Sequence, residues 1–185
     1  PHEKEIVMKK LVMSFLLSII TVATIYAQHV NSDSLLIEAY KEFNETKNTD
    51  YAKKLSWQGK SIAPDYLDFY VLLGRIHQRE SRLDSASYYF NYVLERNKEY
   101  KEVFLYLIPI QLSTGKLDEA QATIDQARDQ KIEEQKLLAF EHQILVEKGD
   151  QRVEYEFLNA VLQKNPELSE FRQRFRGCRP GRPGP

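Results

Sequence analysis

One interval recurs along this chain and restricts its fold more than any single motif does. Alanines at 52, 86 and 120 are separated by 34 residues each time. The same step carries Phe90 to Ile124 and Leu158, and Ala39 to Leu73 and Leu107. It carries Ser81 to Gly115 and Gly149, and multiples of it connect Pro64 with Pro166. Small, large apolar and turn-forming residues therefore share one period. A period of this length means one supersecondary unit repeated, because a single unit leaves an apolar face open and needs neighbours of its own kind.

Residues 70–94, YVLLGRIHQRESRLDSASYYFNYVL, show what the unit is. Tyr70, Leu73-Gly74, His77, Ala86 and Phe90 follow the spacing W-x2-L-G-x2-Y…A-x3-F, with Tyr in place of Trp and His in place of Tyr. The chain thus resembles the tetratricopeptide repeat family over about three-quarters of its length. Two antiparallel helices approach closely only where small side chains meet, and Gly74 and Ala86 would supply that gap. The resemblance implies an all-α right-handed superhelix, a solenoid of about four helical hairpins. The hairpins are assigned to 33–66, 67–100, 101–134 and 135–168. An amphipathic segment at 167–175, with Leu168, Phe171 and Phe175 on one side, is expected to cap the last of them.

Within this frame Ser34 to Asn44 reads as the first helix, and Asn48-Thr49-Asp50 as the break that caps a second helix running to Ala63. Trp57 is expected to touch the neighbouring repeat. Tyr89, Phe90 and Val93 follow core spacing, which leaves Tyr88 and Tyr92 facing outward. Pro109 lies inside a helical pattern and is expected to kink it. The fourth repeat departs from the pattern: Glu141-His142 stand where Leu-Gly is expected, and Glu154 where Ala is expected.

The N-terminal region carries a separate signal. Met8-Lys9-Lys10 precedes an apolar run from Leu11 to Ala27, with the basic start, apolar centre and small final residue of a secretory signal peptide. Cleavage is expected after Ala27, within a leader spanning 1–27, and residues 1–7 read as lying upstream of the natural start. An uncleaved membrane anchor is the alternative, although the run is short for a full span. The solenoid then occupies 28–175. Residues 176–185, rich in Pro, Gly and Arg, read as a linker, a disordered tail or an artefact of reading frame.

Charge and chemistry narrow the function. Residues 28–170 carry 18 basic and 25 acidic side chains, which argues against a nucleic-acid partner. The four His (2, 29, 77 and 142) are scattered, there is one Cys, and no phosphate loop or nucleophile elbow occurs. No catalytic residue, metal ligand or cofactor is assigned, and the chain reads as a non-enzyme. The family's usual working surface is a concave groove lined by the first helix of each repeat. By that register the candidate groove comprises Asp68, Val71, Arg75 and Gln78, then Glu102, Leu105, Pro109 and Leu112, then Lys136, Ala139, Gln143 and Val146.

The expected activity is binding: an exported scaffold in the periplasm, or on the periplasmic face of the outer membrane, of a Gram-negative bacterium. Its groove would hold another protein or an attached domain. The signal segment, residues 70–76 and the turn Gly115-Lys116-Leu117-Asp118-Glu119-Ala120 resemble the repeat region preceding the barrel in YaiO-type outer-membrane β-barrel proteins. That resemblance implies a docking arm of a longer protein, with membrane contact only through the signal segment or a missing C-terminal barrel. The alternative is a glycan-binding protein or a subunit of a glycan-processing enzyme of the envelope, resting on the Glu141-His142 pair and on Tyr88 and Tyr92.

Overall fold

The computed structural model describes residues 8, 10, 13–18, 31–149 and 151–164. The signal-peptide cleavage site, the cap assigned to 167–175 and the tail at 176–185 lie outside the described residues. Among those described, every regular element is a helix. Helix α1 covers residues 31–41 and widens into a π-helical turn over Glu42–Thr46. Seven more helices follow: α2 Thr49–Ile62, α3 Asp68–Arg79, α4 Leu83–Arg96, α5 Lys101–Ser113, α6 Leu117–Asp129, α7 Glu134–Lys148 and α8 Gln151–Lys164. None is long and apolar enough to cross a membrane. The fold is that of an all-α helical repeat, two helices to each unit.

The period is written in the backbone as well as in the side chains. Lys47, Ser81, Gly115 and Gly149 each end the first helix of a pair, and all four adopt left-handed conformations with φ of 56°, 59°, 72° and 71°. The next amide turns back onto the helix it leaves: Arg82 N–H donates to the His77 carbonyl at 2.9 Å, and Lys116 N–H to the Gln111 carbonyl at 2.8 Å. This closure satisfies carbonyls that a helix end otherwise leaves open, and it redirects the chain into the next helix. Glycine adopts that conformation freely, whereas Lys47 and Ser81 hold it against a steric cost. Asn48 then caps α2 through its side chain, which accepts from Tyr51 N–H at 3.2 Å.

The chain divides into two units, residues 1–89 and 90–185, with the boundary inside α4. In the first unit Ala39 and Phe43 pack with Ala52 and Leu55 of α2 and with Leu72 and Ile76 of α3. Helices α2 and α3 approach closely at Gly59, where an added Cβ would lie 2.1 Å from the ring of the fully buried Phe69. In the second unit Phe104, Leu107 and Ile108 of α5 are buried, as are Ala120 and Ile124 of α6, Leu137 and Ile144 of α7, and Leu158 of α8. Phe90 stacks on Tyr106, ring centres 5.5 Å apart. Pro109 sits within α5 without ending it.

The turns yield a stability test. Ser81→Gly should raise the unfolding free energy by about 1 kcal/mol, and Gly115→Ala should lower it by a similar amount. Urea midpoints at an unchanged slope measure both.

Candidate binding face

The residues assigned to a groove fall into two groups. In the first unit Asp68, Arg75 and Gln78 are half-buried on α3, and the Arg75 guanidinium lies over the Phe43 and Tyr40 rings, 5.0 and 5.8 Å from their centres. Arg75 is thus part of the contact between α3 and the end of α1 rather than an open charge. Val71 is a core residue, 2% exposed, and is removed from the candidate set. Phe69 to Gly74, Ile76 and His77 are all buried, so α3 is enclosed around more of its circumference than a single apolar stripe requires.

In the second unit α5 and α7 pack on one another. Positions 34 residues apart are equivalent on the two helices, so Leu105 corresponds to Ala139, Pro109 to Gln143, and Leu112 to Val146. Leu105 and Pro109 are half-buried, while Ala139, Gln143 and Val146 are exposed. Leu112 is enclosed at 5% exposure and, like Val71, belongs to the core. Glu102 and Lys136 are exposed and charged, Lys136 pairing with Glu133 at 2.9 Å. Pro109 has no N–H, so the Leu105 carbonyl loses the partner an unbroken helix would give it. The structure therefore brings together a mixed apolar and amide surface with a backbone acceptor among its residues.

Glu141 and His142, adjacent in sequence, go separate ways. Glu141 accepts from Arg128 at 2.8 Å, and Arg128 also reaches Glu134 at 3.2 Å and Asp125 at 3.3 Å. The hydrogen bonds that Arg128 donates to Glu141 and Glu134 hold its guanidinium even more firmly in the charged form. His142 Nε2 instead meets Glu154 Oε1 at 2.8 Å, with Glu154 only 7% exposed. These are the two positions where the fourth repeat departs from Gly and Ala. What reads as decay of the repeat is one substitution by a hydrogen-bonded pair. Because the two residues face different partners, they do not converge as an acid and base.

Two further features escaped the sequence. A cleft of 350 Å³ between α7 and α8 is lined by Leu138, Phe157, Ala160 and Val161, with Glu134 and Lys164. In the first unit an aromatic cluster gathers around Tyr89. The His77 ring stacks on Tyr89 at 5.5 Å, while Trp57 and Tyr88 meet it edge-on at 6.4 and 5.4 Å. Trp57 does reach the following hairpin, as its position suggests, yet remains 46% exposed. Tyr88 is exposed, whereas Tyr92 is half-buried beneath the Arg96 guanidinium at 3.4 Å. Among the described residues no three His, Cys, Asp or Glu side chains gather as a metal site would require.

Comparison with known proteins supports the architecture. The chain is similar to MamA from AMB-1, with 20% identity and a TM-score of 0.59, covering 69% of this chain and 75% of that one. It is also similar to PilF of Pseudomonas aeruginosa, with 14% identity and a TM-score of 0.58, covering 77% of this chain. The match spans 64% of the length of PilF. Both are tetratricopeptide repeat proteins, and at these identities the likeness establishes a shared fold. No family model matches the sequence, and no curated protein does.

His77 supplies a pH test. Burial is the main influence lowering its pKa below 6.5; Lys53 adds to it, Glu80 opposes it, and Arg82 lowers it further. At pH 7 and above the ring is therefore neutral, and its 3.5 Å approach to Glu80 is then not an ion pair. Burial alone would raise the Glu80 pKa, but the Lys53 hydrogen bond and charge bring it below 4.5. An unfolded chain takes up a proton at His77 near pH 6.5 while the folded chain resists. This contribution is thus fully present above 6.5 and is lost as pH falls toward the lower folded value. Glu80 adds a second loss as pH falls through 4.5. The melting temperature should drop between pH 7.5 and 5.5, and should drop less in His77→Phe, which keeps the stack on Tyr89 without titrating.

Proposed function

We propose that the chain is an exported protein-binding scaffold whose working surface in the second unit is the α5/α7 face. The observation that carries this reading is the surface itself. Leu105, Pro109, Ala139 and Val146 place apolar area at or near solvent on equivalent positions of two adjacent helices. Gln143 and the Leu105 carbonyl add hydrogen-bonding capacity to it. A helical repeat offers such faces as rigid platforms, and a polypeptide partner can fill them with side chains and backbone amides together. The excess of acidic side chains over residues 28–170 favours partners that are not acidic.

Export is supported by the Met8-Lys9-Lys10 start and the apolar run to Ala27. The fuller reading is a docking arm in the cell envelope, working for an attached outer-membrane barrel or a separate partner. Downstream coding sequence with alternating strands of about ten residues supports the attached form.

A photo-crosslinking amino acid placed singly at Leu105, Ala139 or Gln143 should give one discrete adduct when the protein is expressed in a Gram-negative host. Placement at Asn91 or Gln126, elsewhere on the helices, should not. Adducts that ignore position, or none from the three face positions, contradict the proposal. Fusion of residues 1–30 to a reporter active only after export tests the leader.

A further inference from the structure

The aromatic cluster of the first unit holds a feature that the scaffold reading does not use. The Lys60 ammonium lies 4.4 Å from the centre of the Trp57 ring, 4.9 Å from that of Tyr70 and 5.6 Å from that of Tyr89. One cation is thus surrounded by three rings, drawn from α2, α3 and α4. Each ring face is the negative end of a quadrupole, so their attractions converge on one point. Lys60 has no carboxylate partner among the described residues; rings, rather than an anion, surround its charge.

The rings are held in place independently of the lysine. Tyr70 is 3% exposed, and its hydroxyl donates to the Pro64 carbonyl at 2.9 Å. Tyr89 is 6% exposed and is fixed by the stacked His77 ring and the edges of Trp57 and Tyr88. Trp57 remains nearly half-exposed, so the cage opens to solvent. Lys60 itself stands in the last turn of α2 on a flexible four-carbon stem. It can swing into water without disturbing the packing that orients the rings.

We propose that Trp57, Tyr70 and Tyr89 form a binding cage for a methylated ammonium group, in which Lys60 is the resident competitor. A lysine ammonium is compact and strongly hydrated, and recovers much of its hydration on leaving the cage. A trimethylammonium group carries the same charge behind apolar methyls, so it loses less water on entering and gains contact with all three rings. The shared chemistry has two sources, a free quaternary ammonium solute and the headgroup of a choline lipid. The cage is separate from the α5/α7 face and does not depend on that proposal.

Trp57 is the sole tryptophan of the chain, so its fluorescence reports directly on the cage. Full-length protein is titrated with tetramethylammonium chloride against sodium chloride of equal ionic strength. The expected result is a saturable change with tetramethylammonium alone. Lys60→Ala should bind roughly fivefold more tightly, equivalent to the loss of about 1 kcal/mol of competing cation–π contact. Choline chloride and phosphatidylcholine vesicles then separate the sources: saturation with choline alone identifies a solute site, and response to vesicles a headgroup site. Tyr89→Leu, checked for helix content by circular dichroism, should abolish the response; Trp57→Leu, followed by calorimetry, provides a second loss-of-cage variant at an exposed position. Indistinguishable responses to tetramethylammonium and sodium in both wild type and Lys60→Ala overturn the proposal. So does unchanged affinity in Lys60→Ala.

Discussion

Everything in this fold depends on how the two helices of a hairpin meet. The separation they adopt is set by a few side chains at the crossing, and the angle at which they arrive is set by one residue in the turn. In three hairpins the second helix offers alanine at the equivalent position: Ala52, Ala86 and Ala120, all completely buried. In the fourth, Glu154 stands there and reaches His142 at 2.8 Å. A small contact and a hydrogen-bonded contact are two solutions to one problem. Either brings the helices together at that crossing, the first with no polar atom to satisfy and the second with its polar atoms paired.

The turn completes the constraint. A left-handed residue at 47, 81, 115 and 149 ends each first helix at the same place in its unit. Two of the four are glycine, and two accept strain to conserve the geometry. Once the turn is fixed, the second helix of a pair begins in register. Within the second unit the 34-residue step then relates positions on two packed helices, α5 and α7, as well as along the chain. It is also why Leu105 and Ala139 occupy equivalent positions on neighbouring helices.

The period, the hairpins, the capping Asn48 and the turns at Ser81, Gly115 and Gly149 were legible in the sequence because each depends on residues close together in the chain; the turn at Lys47 was not, since lysine is not a turn-forming residue. What was hidden depends on pairs far apart or on the third dimension. Glu154 looked like a failed alanine because residue type was visible and its partner was not. Val71 and Leu112 looked like surface because helical register gives direction, while burial depends on how closely the next helix approaches. Gly59 attracted no notice, since its equivalents Val93, Ala127 and Val161 are merely apolar; only the Phe69 ring shows why a hydrogen is required there. The ring cage around Lys60 joins three helices and has no sequence signature at all.

The claim that a small pair and a hydrogen-bonded pair are interchangeable solutions is tested by the stabilities of His142→Gly, Glu154→Ala and the double variant. Each single change removes one side of the 2.8 Å hydrogen bond and should cost about 1–3 kcal/mol. The double variant restores the Gly and Ala of the repeat pattern and should recover a large part of the summed loss, a coupling of roughly 0.5–3 kcal/mol. Losses that simply add, with no recovery in the double variant, would contradict the account.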